Sequence, residues 1–337
     1  MTRFLRVRDG LEPPAYARCR STPVNLNEPA SAPDAELEGA HRDGLRAMHS
    51  SCDPRGTVAQ PSLLDLKIEL ARRELRHCRL CPQMCGVDRA AGELGFCGVG
   101  AEAHVAAHMV HLGEMADLVP AFSVFLSGCT MRCIYCRKHE LIEHPRSGQV
   151  LEPGWLAEAV ARGTEEGART LKLLGGTPEP HTAALLECLK ALPINLPVMW
   201  ESAMYISPRG LDLIEGIVDL FIANLRYGND DCARELSGVD RYLGPAMAAV
   251  QRALEFADVT IRHLVLPGHI DCCTRPLAAM LQEVAPEIEM VLLFQYVPFW
   301  HALKHPQLSR RLTDAERQHA VEVVSERKES WSVAPLS

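Results

Sequence analysis

The sequence has no unbroken apolar stretch of the length that a signal peptide or a membrane span requires. It also lacks a block of Lys and Arg with interleaved aromatic residues, which contact with a nucleic-acid backbone would favour. The chain is mildly acidic, with a formal net charge of -8 over 337 residues. These absences predict a cytoplasmic protein that binds neither a membrane nor nucleic acid.

Cysteine, by contrast, is plentiful: the chain has 13, and their spacing favours metal binding in a reducing compartment over a disulfide framework. Two groups stand out. The first lies in "CRLCPQMCGVDRAAGELGFC" and the second in "CTMRCIYC", and they comprise Cys78, Cys81, Cys85 and Cys97, and Cys129, Cys133 and Cys136. An adjacent pair, Cys272 and Cys273, is left without a role, because adjacent cysteines seldom both ligate one metal.

The pattern of apolar residues divides the chain into four parts. Residues 1–60 are rich in Pro, Ala and Ser without an apolar period, which predicts a flexible extension. Residues 61–118 are predicted to form an amphipathic helix and a small cysteine-rich metal-binding module. In residues 119–330, six short β-rich runs alternate with six helical segments, which predicts a parallel sheet in a partial (β/α)6 TIM-like barrel. Residues 331–337 are a tail.

The three closely spaced thiols directly follow the first β-rich run, "AFSVFL". In β/α barrels the chemistry lies at the carboxyl ends of the strands. Structural zinc sites and electron-transfer iron–sulfur clusters normally have four protein ligands. Three cysteines therefore predict a cluster with one open iron, to be completed by a substrate or cofactor. The alternative is a closed zinc site with a distant fourth ligand.

The motif "CTMRCIYC" resembles the CxxxCxxC signature of the radical S-adenosylmethionine (SAM) superfamily. Further segments resemble the subgroup related to the pyruvate formate-lyase activating enzyme, over roughly residues 75–300: "CRLCPQMCGVDRAAGELGFC", "LKLLGGTPEPH", "VDLFIANLRYGNDDCARELSGVDRY", "IRHLVLPGHIDCC" and "LLFQYVP".

This resemblance implies a radical SAM fold and a [4Fe-4S] cluster on Cys129, Cys133 and Cys136, with SAM completing the fourth iron. It implies reductive cleavage of SAM to a 5′-deoxyadenosyl radical, an electron donor such as flavodoxin or ferredoxin, and a glycyl radical enzyme as protein substrate. The alternatives are radical modification of a peptide or small molecule and, from another class, a non-catalytic electron-transfer or zinc-binding module.

The resemblance also implies residues that bind SAM. Within the motif "CTMRCIYC", the resemblance implies that the aromatic Tyr135 is one of them. The other positions lie at the ends of the second, third and fourth predicted strands and inside the fifth. They are Gly175, Gly176, Thr177 and Pro178, then Glu201 and Ser202, then Asn224 and Arg226, and finally Arg262. We assign no role to His139, Glu140 or His181.

Two of these motifs depart from the subgroup. Glu201–Ser202 stands in place of an Asp-Thr pair, and Asn224 and Arg226 replace an aspartate and a lysine, so a monovalent cation site found in the subgroup is in doubt here. Glu201 and Arg226 could instead pair with each other at the barrel rim, and Arg262 could form a buried ion pair. Cys78, Cys81, Cys85 and Cys97 could hold a second iron–sulfur cluster or a zinc ion.

Overall fold

The computed structural model describes residues 2–50, 58–113, 115–288 and 290–326. Its centre is an eight-stranded sheet with the order β3-β1-β2-β4-β5-β6-β7-β8. The strands are β1 (His104–His111), β2 (Ala121–Leu126), β3 (Gln149–Val150), β4 (Thr170–Gly175), β5 (Val198–Ser202), β6 (Leu220–Asn224), β7 (Asp258–Leu264) and β8 (Met290–Leu293).

Twelve α-helices lie in the described ranges. They are α1 (Thr2–Arg8), α2 (Ala15–Ser21), α3 (Asp34–Ser50), α4 (Leu63–Glu74), α5 (Glu140–Glu143), α6 (Pro153–Glu165), α7 (Thr182–Ala191), α8 (Pro208–Ile214), α9 (Asp230–Ser237), α10 (Leu243–Leu254), α11 (Arg275–Val284) and α12 (Asp314–Ser325).

The predicted parallel core is confirmed. Strands β2, β4, β5, β6, β7 and β8 pair in parallel with their neighbours in chain order, and helices connect them. Every residue of β6 is buried, as expected for a parallel strand covered on both faces. The sheet is open, because its order runs from one edge at β3 to the other at β8. The fold is thus the expected partial barrel of six β/α units.

An antiparallel extension of this sheet was not predicted. Strand β1 pairs with β2 and with the two-residue β3, so part of the segment that we expected in the cysteine-rich module belongs to the sheet. Its sequence, "HVAAHMVH", does not alternate clearly between apolar and polar residues, and four of its eight residues are exposed. Packing against β2 therefore decides its conformation more than local patterning does.

The expected flexible extension over residues 1–60 is corrected in its described parts, because residues 2–50 contain α1, α2 and α3. Phe4 on α1 is fully buried and packs with Met199, Leu220 and Ile222 from the barrel strands. The backbone N–H of Phe4 donates to Asp258 Oδ2 over 2.7 Å. These residues lie near the strand starts, so α1 covers the amino end of the barrel. Helices α1 and α2 have seven residues each and are too short to show the apolar period on which the prediction relied. The 17-residue α3 was overlooked, since its buried residues Leu37, His41, Gly44 and Met48 include only two large apolar side chains.

The other predicted segments correspond well to the observed elements. Helix α4 begins with a capping box between Ser62 and Asp65 and leads into the N-terminal cysteine group. No helix in the described residues is long and apolar enough to cross a bilayer. The predicted tail, residues 331–337, lies outside the described residues. The predicted domain boundaries stay a prediction.

Candidate active site

A cavity of about 450 Å³ opens at the carboxyl edge of the parallel sheet. Its size is typical of a small-molecule site. The three thiols and residues from the ends of five strands line it together. They include Cys129, Cys133, Tyr135 and Cys136 from the loop after β2, Gly175, Gly176 and Thr177 after β4, Glu201 and Ser202 at β5, Asn224 and Arg226 at β6, and Arg262 on β7.

The loop after β2 is held by backbone contacts from several elements. Arg132 and Ile134 donate their N–H groups to carbonyls near the end of α9, each over 2.9 Å. The Ile134 carbonyl accepts from Ala302 N–H over 2.9 Å. At the start of the loop, Cys129 N–H donates to the Cys97 carbonyl over 3.3 Å. The positions of the three thiols are therefore fixed by the surrounding protein.

A chain of hydroxyl groups ends on one of the thiols. Ser237 Oγ donates to Cys133 Sγ over 2.9 Å. The Ser237 hydroxyl uses its one hydrogen in this bond, so it acts as the acceptor toward the Tyr227 hydroxyl. Tyr227 in turn accepts a hydrogen bond from the Tyr135 hydroxyl over 2.8 Å. Burial raises the pKa of Tyr135 and of Tyr227 well above the usual value, so both phenols remain donors.

The Gly175–Gly176 turn packs directly on the cysteine loop. A Cβ atom on Gly176 would lie 1.7 Å from the Gly128 carbonyl oxygen. Gly175 has a positive φ of 123°, and a Cβ there would lie 2.3 Å from Leu126 N. Only glycine fits these two positions, because a side chain would push the turn away from the cysteine loop. Thr177 strengthens this contact by donating its N–H to the Gly128 carbonyl over 3.2 Å.

Glu201 is engaged by a lysine that the sequence reasoning missed. Lys172 Nζ on β4 lies 2.5 Å from Glu201 Oε2, and Asn224 Nδ2 donates to Oε1 over 3.1 Å. Burial by itself would raise the pKa of Glu201, but Lys172 and Arg262 outweigh it and lower the pKa to about 2. The Glu201 charge is therefore compensated by cationic side chains of this chain, and a monovalent cation is not needed for that purpose.

Arg226 does not form the rim pair with Glu201 that we considered as an alternative. Its backbone N–H donates to the Tyr242 hydroxyl over 2.9 Å, while its side chain lines the cavity. Within the described ranges, no carboxylate pairs with the Arg226 guanidinium. A half-buried cation in this position requires an anionic partner, and a ligand carboxylate in the cavity would provide one.

The donor set fits an iron–sulfur cluster with an amino-acid ligand. Burial raises the pKa of Cys129 and of Cys136, and the neighbouring Cys133 raises both further. Such crowded thiols ionise only when a bound cation compensates their charge, as coordinated metal does. Three thiols, a glycine turn and an available guanidinium therefore share one cavity.

Comparison with known proteins identifies the family. The model of the radical SAM superfamily matches residues 123–281, which include the three loop cysteines. The chain is 32% identical over 270 residues to the "Uncharacterized protein MJ0674" of Methanocaldococcus jannaschii, an alignment that covers 78% of this chain and 79% of the relative. Residues 123–281 of the chain form a radical SAM domain. The cofactors of this superfamily are a [4Fe-4S] cluster and SAM.

Two solved structures are similar to this chain at low sequence identity. Streptococcus suis SuiB bound to precursor peptide SuiA matches with a TM-score of 0.43 and 12% identity, over 61% of this chain and 46% of SuiB. Native anSMEcpe with bound AdoMet matches with a TM-score of 0.44 and 15% identity, over 59% of this chain and 57% of anSMEcpe. The chain thus spans about half the length of these two proteins.

Most residues implied for SAM binding line the cavity at the carboxyl edge of the sheet. Pro178 does not line it and instead begins a short 3-10 turn. His181, to which no role was given, donates from Nε2 to the Ser127 carbonyl over 2.9 Å and so supports the cysteine loop from behind. Lys172 was missed, although a lysine inside the apolar run "TLKLLG" is as conspicuous as the arginine that the same reasoning noticed in β7.

The N-terminal cysteine group lies beside the radical SAM cavity without lining it. Cys78, Cys81 and Cys97 are buried, whereas Cys85 is exposed. Arg89 is buried among them and donates to Cys97 Sγ over 3.4 Å and to the Pro180 carbonyl over 2.7 Å. It thereby connects the cysteine group to the turn that follows Gly175–Gly176. A buried guanidinium beside Cys78 and Cys97 suits an anionic metal–thiolate centre.

Proposed function

We propose that Cys129, Cys133 and Cys136 hold the [4Fe-4S] cluster of a SAM-cleaving enzyme, and that the substrate is a protein activated as in the pyruvate formate-lyase activating subgroup. The observation that carries the proposal is the shared cavity. The three thiols, the glycine turn and the guanidinium of Arg226 face the same space at the carboxyl edge of the sheet.

When bound, the cluster and SAM supply a 5′-deoxyadenosyl radical that abstracts hydrogen from the substrate. The chain's own residues bind SAM and orient it. Arg226 supplies a fork of donors for the SAM carboxylate, and Gly176 leaves its backbone accessible to the amino group. The hydroxyl of Ser237 donates to Cys133, and the buried rings of Tyr135 and Tyr227 keep water from this side of the cysteine loop.

Exposed apolar residues beside the cavity support a macromolecular substrate. Val297 lines the cavity, and the chain then leads to Phe299, which is 42% exposed, and Leu303, which is 61% exposed. His139 stacks on Trp300 with ring centroids 5.2 Å apart, which holds this segment near the cysteine loop. Large apolar side chains left in water beside an active site are typical of a surface that contacts another protein.

The proposal includes an external one-electron donor of the flavodoxin or ferredoxin type, because reductive cleavage consumes an electron. It also places the protein in the reducing cytoplasm. All twelve described cysteines are free thiols, and thiols must stay reduced to ligate iron.

The test is anaerobic reconstitution with iron and sulfide, followed by measurement of 5′-deoxyadenosine after reduction with dithionite. Wild type should form the nucleoside, and a variant with Cys129, Cys133 and Cys136 all changed to Ala should not. Cys188→Ala is a matched control, because this buried thiol lies on α7 away from the cavity. Equal nucleoside formation by the triple variant would overturn the assignment.

The protein substrate is tested separately by adding a purified glycyl radical enzyme to the reduced, reconstituted protein. The expected result is the electron paramagnetic resonance doublet of a glycyl radical, lost in Phe299→Ala/Leu303→Ala while SAM cleavage without substrate is kept. Cleavage of SAM without radical formation on any glycyl radical enzyme would reject the substrate and leave the SAM chemistry in place.

A further inference from the structure

Four side chains that sequence reasoning left apart converge below the loops that follow β6 and β7. They are Cys232, His269, Cys272 and Cys273, and their ligand atoms all lie within 4.8 Å of one another. Cys232 is on α9, and the other three surround a single π-helical turn at Ile270–Thr274 that precedes α11. None of the four lines the radical SAM cavity.

The separations among three of the four ligand atoms match the edges of a tetrahedral ion site. Cys232 Sγ lies 3.7 Å from Cys272 Sγ and 3.5 Å from His269 Nδ1, and Cys272 Sγ lies 3.4 Å from the same nitrogen. A tetrahedral zinc ion with bonds of about 2.3 Å to sulfur and about 2.0 Å to nitrogen gives edges of about 3.8 Å between sulfurs and about 3.5 Å between sulfur and nitrogen. Cys232, His269 and Cys272 thus already have the spacing of a zinc coordination shell, and Cys273 Sγ lies within 4.8 Å of all three ligand atoms.

The local backbone explains how two adjacent cysteines can take part. His269, Cys272 and Cys273 are spaced at i, i+3 and i+4, so the turn of helix directs all three toward one side. The wide π-helical turn is a feature that often occurs at functional sites. Cys232 reaches them from α9, because β6 and β7 are neighbouring parallel strands and their following segments lie side by side.

Asn229 completes the surroundings of the cluster. Its side-chain Nδ2 faces Cys232 Sγ at 3.2 Å and Cys273 Sγ at 3.8 Å, and it donates to the Cys272 carbonyl over 2.5 Å. The backbone of Gly228 also hydrogen-bonds to Cys273. Amide donors aimed at sulfur stabilise thiolates that ligate a metal and hold them in orientation. A Cβ at Gly228 would lie 2.1 Å from the Cys273 carbonyl, so only glycine allows this approach.

We propose that Cys232, His269, Cys272 and Cys273 form a closed Cys3His zinc site that joins the segment after β6 to the segment after β7. Three sulfurs, one imidazole nitrogen and no open position are the marks of structural zinc. The site lies at the start of α9, whose far end carries the Ser237 contact to Cys133. The zinc thus stabilises the two segments that carry Arg226 and follow Arg262. This inference does not depend on the proposed function.

The test uses the full-length protein purified anaerobically with stoichiometric zinc. Elemental analysis should find about one zinc per chain at this site. Zinc-edge X-ray absorption, which does not detect iron, should show three sulfurs at about 2.3 Å and one nitrogen at about 2.0 Å. Absence of zinc, a shell of four sulfurs, or iron at these residues would each overturn the proposal. Because Cys78, Cys81, Cys85 and Cys97 could also hold zinc, the same spectrum is recorded on a Cys78→Ala/Cys81→Ala variant, in which the zinc signal comes from the proposed site alone.

Variants then test whether each of these residues binds the zinc ion. Cys272→Ser, at the exposed member of the group, and His269→Ala should each lower zinc retention at least tenfold in the presence of a competing chelator and lower the melting temperature. Cys188→Ala should retain zinc as wild type does. Undiminished zinc in a Cys232→Ser/Cys272→Ser double variant would place the ion elsewhere in the chain.

Discussion

The Ser237 hydroxyl donates to the Cys133 sulfur over 2.9 Å, which connects the end of α9 to the middle cysteine of the proposed cluster. A donor to a ligating sulfur stabilises the more negative, reduced form of an iron–sulfur cluster. Two tyrosines, Tyr227 and Tyr135, orient this hydroxyl from behind. The helix therefore sets the electrostatics of the cluster as well as the position of the loop.

We expect Ser237→Ala to lower the midpoint potential of the cluster by roughly 20–60 mV, which corresponds to ~0.5–1.4 kcal/mol for one electron. A redox titration followed by electron paramagnetic resonance would measure it. Ser123→Ala is the matched control, since this buried serine on β2 has a hydroxyl without a hydrogen-bond partner in the described part of the chain. An unchanged potential with full iron content would show that the contact is only structural.

Gly176→Ala should prevent correct assembly of the cysteine loop. Its Cβ would lie 1.7 Å from the Gly128 carbonyl oxygen, so either the turn or the loop must shift. Overpacking of this kind costs ~1–3 kcal/mol, and here it displaces Cys129 directly. Iron content and the free energy of unfolding should both fall. Gly154→Ala, on α6 where an added Cβ would meet no described atom within 4 Å, should change neither by much. A fully loaded Gly176→Ala protein would contradict the role given to this turn.

The sequence predicts those parts of the structure that depend on neighbouring residues, and it misses those that depend on contacts between distant segments. The parallel strands were recognisable because each is a buried apolar run bounded by turn residues, as "LFIAN" in β6 shows. Helix α9 was missed, since its sequence "DDCARELS" is mostly polar and its ends are set by Asn229 and by Gly238, which has a positive φ of 65°. Phe4 was missed because its partners lie in β5 and β6.

In the candidate site, too, the residues of a local motif were predicted and those brought together by the fold were missed. The three loop cysteines stand out because a short motif contains them all. The group of Cys232, His269, Cys272 and Cys273 was not found, because Cys232 and the "HIDCC" segment come together only when β6 and β7 pair. Lys172 could have been suspected from its place in an apolar strand, but its partner Glu201 is visible only in the assembled sheet. Local patterns predict elements, whereas these polar pairings depend on tertiary structure.

The N-terminal cysteines should bind metal independently of the loop triad. We expect the Cys129/Cys133/Cys136 triple alanine variant to retain a metal that is lost when Cys78 and Cys81 are also changed to Ala. Iron with sulfide would identify a second cluster, and additional zinc would identify a zinc knuckle. Equal metal contents in the two folded variants would contradict independent binding. Elemental and sulfide analysis on the same preparations gives the answer.

Lys67 on α4 should make stability depend on alkaline pH. It is buried, and its Nζ donates to His41 Nε2 over 2.9 Å and to the Asp212 carbonyl over 2.8 Å. Burial lowers its pKa from 10.5 to about 8. Between these two values the folded chain binds fewer protons than the unfolded chain, so stability rises with pH across this window. The lysine contributes a gain of ~3 kcal/mol between pH 7 and pH 10.5.

Lys67→Met should lose this gain, so the stability difference between wild type and variant should shift toward wild type as the pH rises from 7 to 10. Anaerobic chemical unfolding at several pH values would measure it. Lys304→Met, at an exposed lysine, is the matched control for the change of residue type. A pH-independent difference would mean that Lys67 keeps its ordinary pKa in the folded protein.

Arg226 provides the sharpest test of the SAM site, because its guanidinium lines the cavity without a carboxylate partner among the described residues. If it binds the SAM carboxylate, Arg226→Ala removes a charge-assisted contact of ~1.5–3 kcal/mol, or roughly 10–150-fold in affinity. Arg226→Lys should restore part of the binding, since the charge returns without the bidentate fork. The cluster should survive in both variants, because none of its ligands is changed.

The measurement is a titration of SAM into the reconstituted protein, with iron content checked first. Arg169→Ala is the control for loss of a positive charge, since this arginine lies just before β4 at the amino edge of the sheet and pairs with Asp9. The expected order of affinity is wild type and Arg169→Ala, then Arg226→Lys, then Arg226→Ala. Equal affinity in all four proteins would make Arg226 a structural residue of the cavity, and the SAM carboxylate would need another partner.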